Sequence, residues 1–213
     1  MKKHLLITAL FFFIGFVKAQ IPIINSNVTD QFKNSSLVYE AFHKKYDLLI
    51  AFHLEGTTKF GVTNIQIIAV KRNKWKKILF TYQDQNPLKR RIKTKSLNDT
   101  LGAKLISDLN ANNFWTLDND SINSRILKIK TPVVKTLSKD TVYIFGSRSV
   151  QRPEMNDGVG YYFKILQGDK LRSYIAYNPD FYVKYYPSKQ REQFINSREA
   201  FLITLSYLGN MKQ

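Results

Sequence analysis

The side chains with the greatest chemical potential fall within a single stretch of 25 residues. Lys71, Arg72, Lys74, Lys76, Lys77, Lys89, Arg90, Arg91, Lys93 and Lys95 stand there against one acid, Asp84. The full chain has a formal charge of +17, and this stretch supplies a net +9 of it. Trp75 sits among these cations. A flat aromatic flanked by Lys and Arg can stack on a sugar or base while the cations meet phosphate or carboxylate. The residue types therefore point to an anionic partner, an acidic protein or an anionic glycan. The competing reading is a solvated ribbon whose charge serves solubility alone.

Other reactive groups are sparse. His53 and Glu55 lie two apart on an expected strand, about 7 Å along it, and a histidine beside a carboxylate can transfer protons. A surface pair on a strand is the commoner origin of such spacing. Asp118-Asn119-Asp120 opens like a calcium loop. Ile122 then occupies the third ligand position, Asn123 replaces the turn glycine, and no glutamate follows at the required distance. With no cysteine and three histidines in the chain, a zinc cluster is not expected either. Residues 20–213 contain no G-x-S-x-G or S-x-x-K nucleophile motif, and no cofactor is expected. Acids such as Glu154 and Asp157 could converge with distant ones for polymer hydrolysis, which keeps an envelope-polymer hydrolase as the rival reading. Arg198 is a lone charge on an apolar helical arc, where it should snorkel or pair with a carboxylate. Phe181, Tyr182, Tyr185 and Tyr186 either line a groove or pack a loop onto the sheet.

The elements that position these groups follow from periodicity. Residues 36–46 read as a helix capped by Ser35 or Ser36, and 47–54 as a strand. Alternation over Asn64–Gln83 predicts a hairpin with a two-residue turn at Asn73-Lys74. That turn sets Ile65 opposite Tyr82, Ile67 opposite Phe80, Ala69 opposite Ile78 and Lys71 opposite Lys76, a like-charge pair at a basic tip. A helix is expected over 100–110, capped by Asn98 or Asp99. Short strands are expected at 125–130 and 140–146, with a turn near Pro132 and a loop over 152–160. Tyr161–Tyr177 reads as a second hairpin, and apolar residues at odd positions on both arms call for a three-residue loop, Gly168-Asp169-Lys170. The last helix runs from an N-cap at Ser188 to a stop at Gly209. Strands and helices intermix without βαβ alternation. The expected fold is therefore α+β: an antiparallel sheet built from hairpins, with about three helices packed on one face.

Residues 1–19 have the layout of a cleavable secretion signal. Lys2 and Lys3 precede an apolar run from Leu5 to Val17, and small residues follow around Ala19. A bilayer-spanning helix needs about 20 apolar residues, more than this run provides. Without cysteine, lipid attachment of the lipoprotein kind is not expected, and residues 20–213 read as one basic domain with no further span. The sequence Phe114-Trp115-Thr116-Leu117, Asp157-Gly158 before Tyr161-Tyr162-Phe163, a Gly-Asp turn, Asn178-Pro179 and a final amphipathic helix resemble small, uncharacterised secreted proteins of Gram-negative bacteria. The resemblance implies an exported location and general architecture, and no activity. Export to the periplasm or beyond would remove chromosomal DNA as a partner. The expectation is thus a non-enzymatic exported binding domain. A structural envelope protein held near anionic lipid by its charge is a third reading.

Overall fold

The computed structural model describes residues 20–55, 61–125, 154–155, 158–159 and 160–206. The expected signal at 1–19, all but the first residue of the strand expected at 125–130, the strand at 140–146, the turn near Pro132, residues 152, 153, 156 and 157 of the 152–160 loop and the stop at Gly209 lie outside them.

Two short helices open the fold, α1 (Asp30–Ser35) and α2 (Leu37–Phe42). Strands β1 (Leu48–Glu55), β2 (Val62–Lys71), β3 (Lys74–Gln83) and β4 (Asn86–Ser96) follow, then α3 (Asp99–Ala111), a 3-10 turn at Phe114–Thr116 and α4 (Asn119–Asn123). After them come β5 (Gly160–Gln167), β6 (Lys170–Tyr177), α5 (Pro179–Tyr185) and α6 (Lys189–Ser206). The six strands form one antiparallel sheet in the order β4-β3-β2-β1-β5-β6, so the α+β expectation holds.

Helices cover both faces of this sheet, which corrects the one-sided arrangement. Leu105, Ile106 and Leu109 of α3, with Phe194, Phe201 and Leu205 of α6, pack on Leu48, Ile50, Phe52, Phe163 and Ile165. On the other side Val38, Ala41 and Phe42 of α2 cover Leu49, Ala51, Ile67 and Phe80. The continuous apolar runs Leu48-Leu49-Ile50-Ala51-Phe52 and Ile67-Ile68-Ala69-Val70 are buried along their whole length, the pattern of strands covered on both faces. The helix expected over 36–46 has Ser36 as its N-cap, its Oγ accepting from the Tyr39 N–H, but ends at Phe42. Lys44 beyond it has a left-handed φ of 60°, which a continuing helix does not allow.

Both hairpins differ from their expected registers. In the first, Arg72 and Asn73 form the turn with φ of 49° and 61°, the mirror-image geometry that matches strand twist. Lys71 therefore faces Lys74, Ile67 faces Ile78, and Ile65 faces Phe80. A shift of two residues keeps every side chain on its face, so the apolar face is as expected although the partners change. In the second, Gln167 pairs with Lys170 around a two-residue turn with Gly168 at φ 63°. Phe163 then faces Tyr174, while Leu171 joins Leu166 on the α2 face.

The outer edge of β6 is closed by side chains acting as a strand. Ser26 Oγ accepts from the Leu171 N–H at 3.2 Å, and Asn27 bonds both the N–H and C=O of Ser173, at 2.7 and 2.8 Å. Asn119 Oδ1 accepts from Ile175 N at 3.0 Å, and Asn123 links Tyr177 N to Ile175 O, at 3.1 and 2.7 Å. Unpaired edges are sites of uncontrolled pairing, and here amide side chains stand in for the missing neighbour.

Candidate anion-binding strand pair and the adjoining cavity

Strand alternation decides where the basic stretch points. Cross-strand partners share a face, so Arg91, Lys93 and Lys95, opposite Thr81, Leu79 and Lys77, lie on the α3/α6 side. Lys71, Lys74, Lys76 and Arg90 lie on the α2 side. The expected single basic tip is therefore corrected: the cations flank both sides of β4, whose eleven residues are all exposed. Lys89 falls at the irregularity where the register shifts between the Tyr82–Arg90 and Gln83–Asn86 pairs. At about 3.3 Å per residue the strand presents some 36 Å of charged edge. No apolar periodicity marks this strand in the sequence, because neither of its faces is buried.

Two members of the set have structural duties. Trp75 is 8% exposed, and its indole packs so closely on α3 that a Cβ added at Gly102 would sit 2.2 Å from it. Its face is therefore core, out of reach of a ligand. Lys77 is buried, and its Nζ donates to the Leu205 carbonyl of α6 at 2.6 Å. Burial first, then neighbouring Lys95, pull this ammonium below its ordinary pKa. Arg90 pairs with Glu40 at 2.9 Å, and among the described residues no other member of the basic set is in an ion pair. Arg72 donates its backbone N–H to Asp47 Oδ2 at 2.6 Å, which fixes the turn and leaves the side chain outward.

A cavity of about 480 Å³ adjoins this face, where the end of β1 and the start of β2 meet α5 and α6. Phe52 and Leu54 of β1, Asn64 and Gln66 of β2 and Tyr161 of β5 line the sheet side, and Asp180, Arg198, Glu199 and Leu202 the helix side. Arg198 is paired as expected: it grips Asp180 with two hydrogen bonds, at 2.5 and 2.9 Å, bonds Glu199 at 2.6 Å, and stands 4.9 Å over the Tyr161 ring. Burial pulls the guanidinium pKa down, but bonds to Asp180 and Glu199 outweigh it and hold the pKa above its ordinary value. In turn Arg198 keeps the Asp180 carboxyl below the usual range. Asp180 is thus ionised at neutral pH, the wrong state for a general acid.

His53 touches the cavity rim, but strand alternation sends its ring to the opposite side of the sheet. There it stacks on Tyr162 with centroids 4.8 Å apart, while the Tyr162 hydroxyl donates to Glu55. Burial and then Lys164 depress the His53 pKa to about 4, against the pull of Glu55. Burial and the hydrogen bond to Glu55 push Tyr162 up to about 12. The imidazole is neutral at pH 7, its Nδ1 is buried without a partner, and Tyr162 rather than His53 holds the carboxylate. His53 and Glu55 do not form a proton-transfer pair.

Asp118-Asn119-Asp120 forms a helix start. Asp118 Oδ2 accepts from Ser121 N at 2.9 Å as N-cap of α4, and Asn119 is committed to β6. Among the described residues no group of three or more His, Asp or Glu could hold a metal ion. Glu154 does not line the cavity, and Asp157 lies outside the described residues. Phe181, Tyr182 and Tyr185 of the aromatic run lie on α5 and Tyr186 is its C-cap; Tyr182 and Tyr186 are buried, and Tyr185 is exposed.

Sequence reasoning missed Arg191, 1% exposed, which donates to the Tyr182, Tyr186 and Ser124 carbonyls. It also missed the asparagines on β6. Asn119 and Asn123, four apart on one short helix, were the available signal, since that spacing puts both amides on one face.

The fold and this surface define an α+β domain with an exposed basic edge strand and an ion-paired cavity. Comparison with protein-family models and with curated proteins found no match to the chain. Among the described residues no helix is long and apolar enough to cross a membrane.

Proposed function

We propose that the chain is an exported, non-enzymatic binding domain that engages an anionic partner along the β3–β4 strand pair. The observation that carries this reading is β4 itself, fully exposed and bearing Lys89, Arg90, Arg91, Lys93 and Lys95, of which only Arg90 is ion-paired among the described residues. Lys71, Arg72, Lys74 and Lys76 extend the field around the β2–β3 turn, beside the Lys95 end of β4. Self-repulsion in such a strand costs stability, and an anionic partner removes that cost. Export is supported by the layout of residues 1–19 and by the resemblance to small secreted proteins. Trp75 and Lys77 contribute by holding the ribbon to the helices.

The test is retention on immobilised heparin as salt rises. The triple variant Arg91→Gln/Lys93→Gln/Lys95→Gln should elute well before the parent chain. A control with the same charge loss elsewhere, at Lys45, Lys104 and Lys189, should elute with only a small shift. Equal shifts for the two variants would show that total charge, and not this strand, governs binding.

A further inference from the structure

The two edges of the sheet are treated in opposite ways. Ser26, Asn27, Asn119 and Asn123 occupy the outward N–H and C=O groups of β6. On β4, among the described residues, no side chain bonds to the outward backbone. In an antiparallel pair, alternate residues turn both backbone groups away from the neighbour, so the eleven residues of β4 present about five such positions.

Charge decides what can sit there. A second copy of this chain would set Arg and Lys against Arg and Lys, and directly opposed like charges are destabilising. The chain's own residues 126–150 have the wrong sign as well, with Lys128, Lys130, Lys135, Lys139 and Arg148 against Asp140 alone. An acidic strand is complementary. We infer that the outer edge of β4 accepts an extended acidic segment of a partner protein as a seventh strand. This rests on the reading that β3–β4 meets an anionic partner, and it names the partner's chemistry and its mode of docking.

The faces of β4 set the pattern of that segment. Arg91, Lys93 and Lys95 line the α3/α6 side, so acids belong at every second position. Ile92 shares the other side with Arg90 and Thr94 and is 46% exposed. The intervening positions of the segment therefore suit Val, Ile or Thr, whose branched side chains pack across strands. Backbone hydrogen bonds supply affinity and the alternating side chains supply selectivity, as in other strand-addition complexes.

The probe is a labelled nine-residue peptide alternating Glu with Val and Thr, titrated against the full chain by fluorescence anisotropy. Two further peptides carry N-methyl groups on one or the other alternate set of amides. Only one set can face β4, so one methylated peptide should bind about tenfold or more weakly, through the loss of several backbone bonds. The other should bind like the parent peptide. Hydrogen exchange should show the outward amides of residues 86–96 becoming protected only when peptide is added. If both methylated peptides match the parent while heparin is still retained, strand addition is wrong and the anion-binding reading stands. If neither the peptides nor heparin binds, both fail. Protection of those amides before peptide is added would mean that the chain itself covers the edge, and would overturn the inference.

Discussion

Gly102 is buried in the first turn of α3, against the indole that anchors the base of the β3–β4 ribbon. At an open position in a helix interior, replacing Gly with Ala stabilises by about 1 kcal/mol. Here the new methyl would lie 2.2 Å from Trp75 Cδ2 and 2.5 Å from Cε2 and Cγ, where carbon atoms rest at about 3.5–4.0 Å. The indole would have to withdraw by more than about 1 Å. Overpacking of this kind costs about 1–3 kcal/mol, and the ring atoms concerned cannot swing aside as the end of a flexible chain could. We expect the upper part of that range, offset in part by helix propensity, for a net loss of about 1–2 kcal/mol. In a domain of this size that lowers Tm by about 2–8 °C. The assay is thermal and urea unfolding of Gly102→Ala in a Trp115→Phe background, so that emission reports Trp75 alone. A Tm equal to or above the parent's would refute the packing of Trp75 on α3, and with it the placement of the ribbon base.

Further outcomes follow from the same geometry. His53 titrates near 4 in the folded chain and near 6.5 when unfolded. The unfolded state therefore takes up the proton first as pH falls, and the stability contributed by the neutral ring, full above about pH 6.5, is lost towards pH 4. At most about 3 kcal/mol is involved, and His53→Phe should flatten stability-against-pH curves measured by urea unfolding over that window. For Asp180, held low by Arg198, the contribution is present above about pH 4 and lost as pH falls further. Because that carboxylate is half exposed, Asp180→Asn should cost about 1 kcal/mol or less in urea unfolding at pH 7. Arg191→Met leaves three carbonyls without their donor and should cost about 3 kcal/mol or more, read by the same unfolding assay. Asn119→Ala/Asn123→Ala uncovers β6. Size-exclusion chromatography should then show concentration-dependent association absent from the parent.

The class of fold was readable because it depends on periodicity, which survives small errors of alignment. The first hairpin shows where that reading stops: pairing Ile67 with Phe80 or with Ile78 gives the same apolar face, and only the turn distinguishes them. That turn places Arg72 at a positive φ, a conformation Arg rarely takes, so its side chain gave no warning. In the second hairpin the apolar residues Leu171 and Tyr174 are buried on opposite faces, so parity held no information about loop length. Strand β4 was invisible for the converse reason, since an edge strand with both faces in water needs no alternation. At the candidate site the cations were plain in the sequence. Their division between two faces required knowing that residues 86–96 are a strand, and the burial of Trp75 was masked by the lysines on either side of it.

Binding of anions along the exposed edge of the sheet should leave its mark on residues 86–96. The decisive measurement is amide chemical-shift mapping of the full chain during titration with a heparin oligosaccharide or polyglutamate. Shifts should concentrate in residues 86–96 and the facing backbone of β3, and fade as salt is raised. Shifts centred on the Arg198 cavity or scattered over all surface lysines would contradict binding at that edge.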